Sequence, residues 1–82
     1  MSLFTPNSVT GTAVSIYRNF ESGALYVTLR RADGDITLLV GGERADQIEA
    51  LLLRRKRRGQ QTVLTLIYDP DTFAVVSFAV VT

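Results

Sequence analysis

The chain has 82 residues, 46% apolar and 21% charged, and its nine basic and eight acidic side chains leave a formal net charge of +1. That length and those shares set one domain, 1–82, and exclude a disordered chain. There is no cysteine and no histidine. This excludes a disulfide scaffold, a thiolate metal site and a cysteine nucleophile, and removes the commonest general base and neutral metal ligand.

Residues 1–7, MSLFTPN, lack the basic start and apolar core of a signal peptide, and are expected to be a flexible arm of a cytoplasmic protein. Residues 9–18 read as a strand, from Val9, Thr10, Thr12, Val14, Ile16 and Tyr17. Gly11 within it signals a bulge or a sharp bend. Residues 19–23 form a turn. The clearest strand is 24–31, where Leu25, Val27 and Leu29 alternate with Tyr26, Thr28 and Arg30, giving one apolar and one wet face. Ala32-Asp33-Gly34 is a hairpin turn, with Gly34 supplying the positive φ that such turns need. Residues 35–40 follow as a third strand, with Ile36, Leu38 and Val40 on its apolar side.

Gly41-Gly42 interrupts the strand pattern, and residues 43–58 read as a helix. Ala45, Ile48, Leu51, Leu52 and Arg55 share one stripe, with Leu53 off it. Glu43, Asp46 and Glu49 come early and Arg54, Arg55, Lys56, Arg57 and Arg58 late, an order that complements the helix dipole. Gly59 is placed to stop the helix. Two strands remain, 62–68 and 72–81, joined by Asp69-Pro70-Asp71. Val63, Thr65 and Ile67 share one face of the first, and Leu64, Leu66 and Tyr68 the other. In the second, Phe73, Val75 and Val81 oppose Ala74, Val76, Phe78 and Val80. Neither face of this hairpin is polar.

The fold class is therefore mainly β with one helix, in the order β-β-β-α-β-β. That element order resembles the OB-fold, a small five-stranded barrel with a helix between its third and fourth strands. The resemblance spans nearly the whole chain, lies in element order alone, and implies no residue roles. The competing architecture is an open antiparallel sheet, with the helix on one face and a second copy on the other. One short helix covers only part of one face of such a sheet, so the oily hairpin calls for a homodimer closed through Leu64, Leu66, Tyr68, Val76, Phe78 and Val80.

Two constellations bear on function. The run Arg54 to Arg58 suits phosphate contact, since cations that neutralise phosphates release counterions; the same run also serves as a solvated last helical turn. On the wet face of the meander, Tyr26 beside Arg30 suits base stacking plus phosphate contact. Tyr17 and Phe20 lie near it, and the face that Tyr17 takes depends on the bulge. The aspartate pairs at 33/35 and 69/71 are turn chemistry, without the ligand ladder of a calcium loop. Gly41-Gly42 has no Gly-Lys-Ser or Gly-Lys-Thr after it, which excludes a P-loop. No catalytic residue, cofactor or metal is expected. The sequence points to a small binding protein for single-stranded nucleic acid, or to a homodimeric assembly module, with no membrane partner.

Overall fold

Leu25, Val27 and Leu29 are fully buried while Tyr26 and Arg30, which alternate with them, are exposed, so the clearest alternation in the chain becomes a strand with one face in the core and one outside it. The computed structural model of the protein describes residues 7–82. Its elements are β1 (Asn7–Arg18), β2 (Leu25–Arg31), β3 (Gly34–Val40), α1 (Gly42–Arg57), β4 (Val63–Tyr68) and β5 (Val75–Val80). All sheet neighbours run antiparallel, in the order β3-β2-β1-β4-β5. Asn7, expected in the arm, is the first residue of β1 and pairs with Tyr68; the rest of that arm lies outside the described residues.

β1 serves two partners in succession. Residues 7–12 pair with β4, and from Thr12 onward the strand pairs with β2. The register shifts between Ala13 and Ser15, so the bulge falls at Val14 rather than at Gly11. Gly11 instead permits a close approach. A Cβ there would meet the Arg30 carbonyl oxygen at 2.7 Å, so only glycine lets β1 cross this closely over β2. The sheet curls until the end of β3 reaches the start of β5. There the Leu39 N–H donates to the Phe73 carbonyl at 2.9 Å, and Leu39 bridges Ala74. Beyond that single bridge the sheet of the described residues is open, not a closed barrel of the OB kind. The open antiparallel sheet with a helix on one face is the architecture found.

The curl gathers the apolar side chains on its inner side. Leu25, Val27, Leu29, Leu38, Val40, Leu64 and Leu66 meet Ala45 and Ile48 of the helix with no exposed surface left. Each fully buried Leu or Ile stabilises the fold by about 1.5–3 kcal/mol. The helical stripe lies as its periodicity requires: Leu51, Leu52 and Arg55 are half-buried at its rim and Leu53 is exposed. The helix stops where Gly59 takes φ +70°. The Gln60 N–H then donates to the Arg55 carbonyl at 2.9 Å and the Gly59 N–H to the Lys56 carbonyl at 3.0 Å, a Schellman ending.

This burial corrects the expected dimer face. Leu64, Leu66 and Tyr68 are already sheltered inside one chain, so they leave nothing for a second copy to cover. The sheet itself bends around them, which a flat-sheet argument does not anticipate. Of the six residues assigned to an interface, Val76 and Val80 are exposed and Phe78 is half-buried. The last strand also starts later than expected. Phe73 takes φ +59°, its ring stacks on Tyr68 at 6.0 Å, and residues 69–74 form a loop. A second register shift, opposite Ile67 and Tyr68, places Val76 as the extra residue. Val75 and Phe78 consequently both join the core, against the simple alternation.

Candidate nucleic-acid interface

On the outer side of the sheet, strand pairing sets the polar residues in rows. Tyr17 of β1 lies opposite Tyr26 of β2, which lies opposite Leu39 of β3. The next row is Ser15, Thr28 and Thr37, and the next Thr12, Arg30 and Asp35. The Val14 bulge changes the phase of β1, which settles the question left by the sequence: Tyr17 shares the face of Tyr26. Their ring centroids are 6.2 Å apart and tilted by 34°. The Thr28 and Thr37 hydroxyls share a hydrogen bond of 2.8 Å. Tyr26 and Arg30 stand on one face of one strand, four residues apart, or about 13 Å at the usual rise.

Arg30 donates from Nε to Asp35 Oδ1 at 3.3 Å. Both side chains are well exposed, so this pair is a weak tie, worth about 0–1 kcal/mol. Among the described residues the outer guanidinium nitrogens of Arg30 have no hydrogen-bond partner. Beside Arg30 the β1 bulge and the end of α1 enclose an open groove of about 600 Å³. Its walls include Thr12, Ser15, Arg30, Lys56, Gln60 and Gln61, with Leu52 and Leu53 as apolar flanks. Two of its lining residues are cations and none is an acid.

The five consecutive cations do not all line the groove. Lys56 enters the groove with Arg30. Arg55 lines a smaller adjoining recess with Thr82, across Gln60 and Gln61, which the two share. Arg54, Arg57 and Arg58 are exposed around the helix end. A helix turns about 100° per residue, so neighbours in a run cannot share a direction.

The helix acids stand away from this groove. Asp46 and Glu49 accept from Arg18 Nη2 at 3.0 and 2.9 Å, and Arg18 Nη1 donates to the Gly23 carbonyl at 2.7 Å. The bond to Glu49, above all, raises the Arg18 pKa beyond its ordinary value, against a smaller opposing effect of desolvation. These contacts pin the β1–β2 turn to the first half of α1. The net charge of +1 thus conceals an uneven distribution along the helix: Glu43, Asp46 and Glu49 lie in its first half, with Arg44 as the one helical cation there, and the run Arg54 to Arg58 lies at its end.

Ser15, Gln60 and Gln61 were not among the residues singled out from the sequence. The pair Gln60-Gln61, immediately after the helix stop, was the one local signal for two of them. Phe20, at the tip of the β1–β2 turn, is 93% exposed and takes no part in the groove. Among the described residues no group of three or more acids could hold a metal ion, and no helix is long and apolar enough to cross a membrane. Comparison with models of known families, with curated proteins and with solved structures yields no significant match.

Proposed function

We propose that this protein binds single-stranded nucleic acid without catalysing a reaction on it. The observation that carries the reading is the placement of Arg30 and Lys56, 26 residues apart in the chain, in the walls of one groove free of acids. The groove adjoins the face that holds Tyr17 and Tyr26, through Ser15 and Thr28. A flexible strand would lay phosphates against Arg30 and Lys56 and stack bases on the two tyrosines. Such stacking tolerates any base, because every base has a π face. The hydroxyls and amides of Thr12, Ser15, Gln60 and Gln61 supply donors to sugar and phosphate oxygens. A duplex is a poorer fit, since its bases are stacked on one another, out of reach of the tyrosines.

The test is the fluorescence anisotropy of a labelled oligonucleotide of mixed sequence. The expected result is binding at low salt that weakens steeply as salt rises, with single strand preferred over duplex. No change in anisotropy at low salt would refute the reading. A homodimeric assembly module is the second reading, favoured by a separate feature, the uncharged outer edge of β5.

A further inference from the structure

β5 is an edge strand. It pairs with β4 on one side, and on the other the described residues offer it only the Leu39–Ala74 bridge at its start. The direction of its backbone groups follows from the ladder. The Val81 N–H donates to the Val63 carbonyl at 2.8 Å, and Ala79 and Ser77 pair with Thr65 and Ile67. In an antiparallel ladder the residues between these point their N–H and C=O the other way. Phe78 and Val80 therefore present their backbone groups to the outer edge.

Natural sheets guard such edges with charge, proline or a covering element. The other edge of this sheet, β3, carries Asp35. Residues 72–82, TFAVVSFAVVT, contain no charged residue and no proline. Val76, Val80 and Val81 are 38%, 41% and 52% exposed there, beside the half-buried Phe78. An edge with free hydrogen-bonding groups, apolar side chains and no charge is a template for another strand.

We propose that the outer edge of β5 pairs antiparallel with the same edge of a second copy, joining two five-stranded sheets into one. The occupant follows from charge. A charged peptide or a nucleic acid finds no complement along this edge, whereas the edge matches itself with no like charges opposed. Antiparallel pairing of identical edges is isologous, so it uses up both edges and closes at two copies. Growth through β3 would oppose Asp35 to the uncharged strand. This rests on the second reading of function above and not on the groove, and it moves self-association from the face of the hairpin to its edge.

Sedimentation velocity and light scattering over a micromolar concentration series test it. The expected result is a reversible rise from the mass of one chain to that of two and no further. Val80→Pro removes an outward N–H without touching a bond to β4, and Val80→Lys places a charge on the edge. Each is expected to weaken the dimer at least tenfold with the circular dichroism spectrum retained, while Phe20→Lys, at the tip of the β1–β2 turn, leaves it intact. Amide exchange of the unaltered chain supplies a readout that needs no variant. The Phe78 and Val80 amides should gain protection with concentration, whereas those of Ser77 and Ala79 are protected throughout. A chain that stays monomeric across the series overturns the proposal. So does a dimer that survives both Val80 variants in folded form, concentration-independent exchange at Phe78 and Val80, or an edge that takes only an added peptide. Because oligonucleotide binding is measured separately, the failure of one reading is distinguishable from the failure of the other.

Discussion

The first three strands and the last two solve the same problem differently. In β2 and β3 apolar and polar residues alternate, so one side of the meander enters the core and the other carries Tyr26, Thr28, Arg30 and Thr37. In β4 and β5 both sides are apolar. There the sheet buries Leu64, Leu66 and Tyr68 inside its curl, half-covers Val63 and Ile67, and gives the far edge of β5 no strand partner among the described residues. An oily two-sided hairpin is not by itself a demand for a second molecule, because curvature can enclose one of its sides. What curvature cannot satisfy is the outermost backbone edge.

The largest expected effect is at Leu66. It is fully buried without a partner, so Leu66→Ala should destabilise the monomer by about 2–5 kcal/mol in urea titration, at every protein concentration. Leu53→Ala, on the exposed side of the helix, should change stability by less than about 0.5 kcal/mol. A Leu66→Ala effect that vanished on dilution would show that a partner, not the curl, buries it. On the meander, Tyr26→Ala should weaken oligonucleotide binding by about 1–3 kcal/mol with an unchanged salt slope, since a stacked ring carries no charge. A steeper or shallower slope in that variant would remove the stacking assignment.

A smaller but sharper effect separates the cations. Arg30→Ala combined with Lys56→Ala should lower the slope of log K against log salt by about 1.4, the value for two phosphates on a single strand. Arg55→Ala should change it less, because Arg55 lines the adjoining recess and not the groove itself. Equal losses from Lys56 and Arg55 would mean that the helix end attracts polyanions as a diffuse charge and that the groove has no special role.

Much of this fold is legible in the residues, and the reasons differ by element. Alternation located β2 and β3, helical spacing located α1 and its buried stripe, and Gly34 and Gly59 marked a turn and a helix end by the positive φ they adopt. These are local signals, set by the two-residue period of a strand, the 3.6-residue period of a helix and the sterics of Cβ. The candidate site was only half legible. Tyr26, Arg30 and Lys56 were identified by residue type, but nothing local joined Arg30 to Lys56, and a bulge at Val14, not at Gly11, decided where Tyr17 points.

Residue order alone thus determined the kinds of element, their succession and which side chains face the core in β2, β3 and α1. Tertiary structure decided that the sheet stays open with one bridge from β3 to the start of β5, that Leu64 and Leu66 are sheltered within a single chain, and that one of five adjacent cations joins Arg30. Those outcomes depend on strand curvature, register shifts at Val14 and Val76, and the pairing of residues distant in the chain. They arise from how separate elements meet, for which no single stretch of residues carries the information.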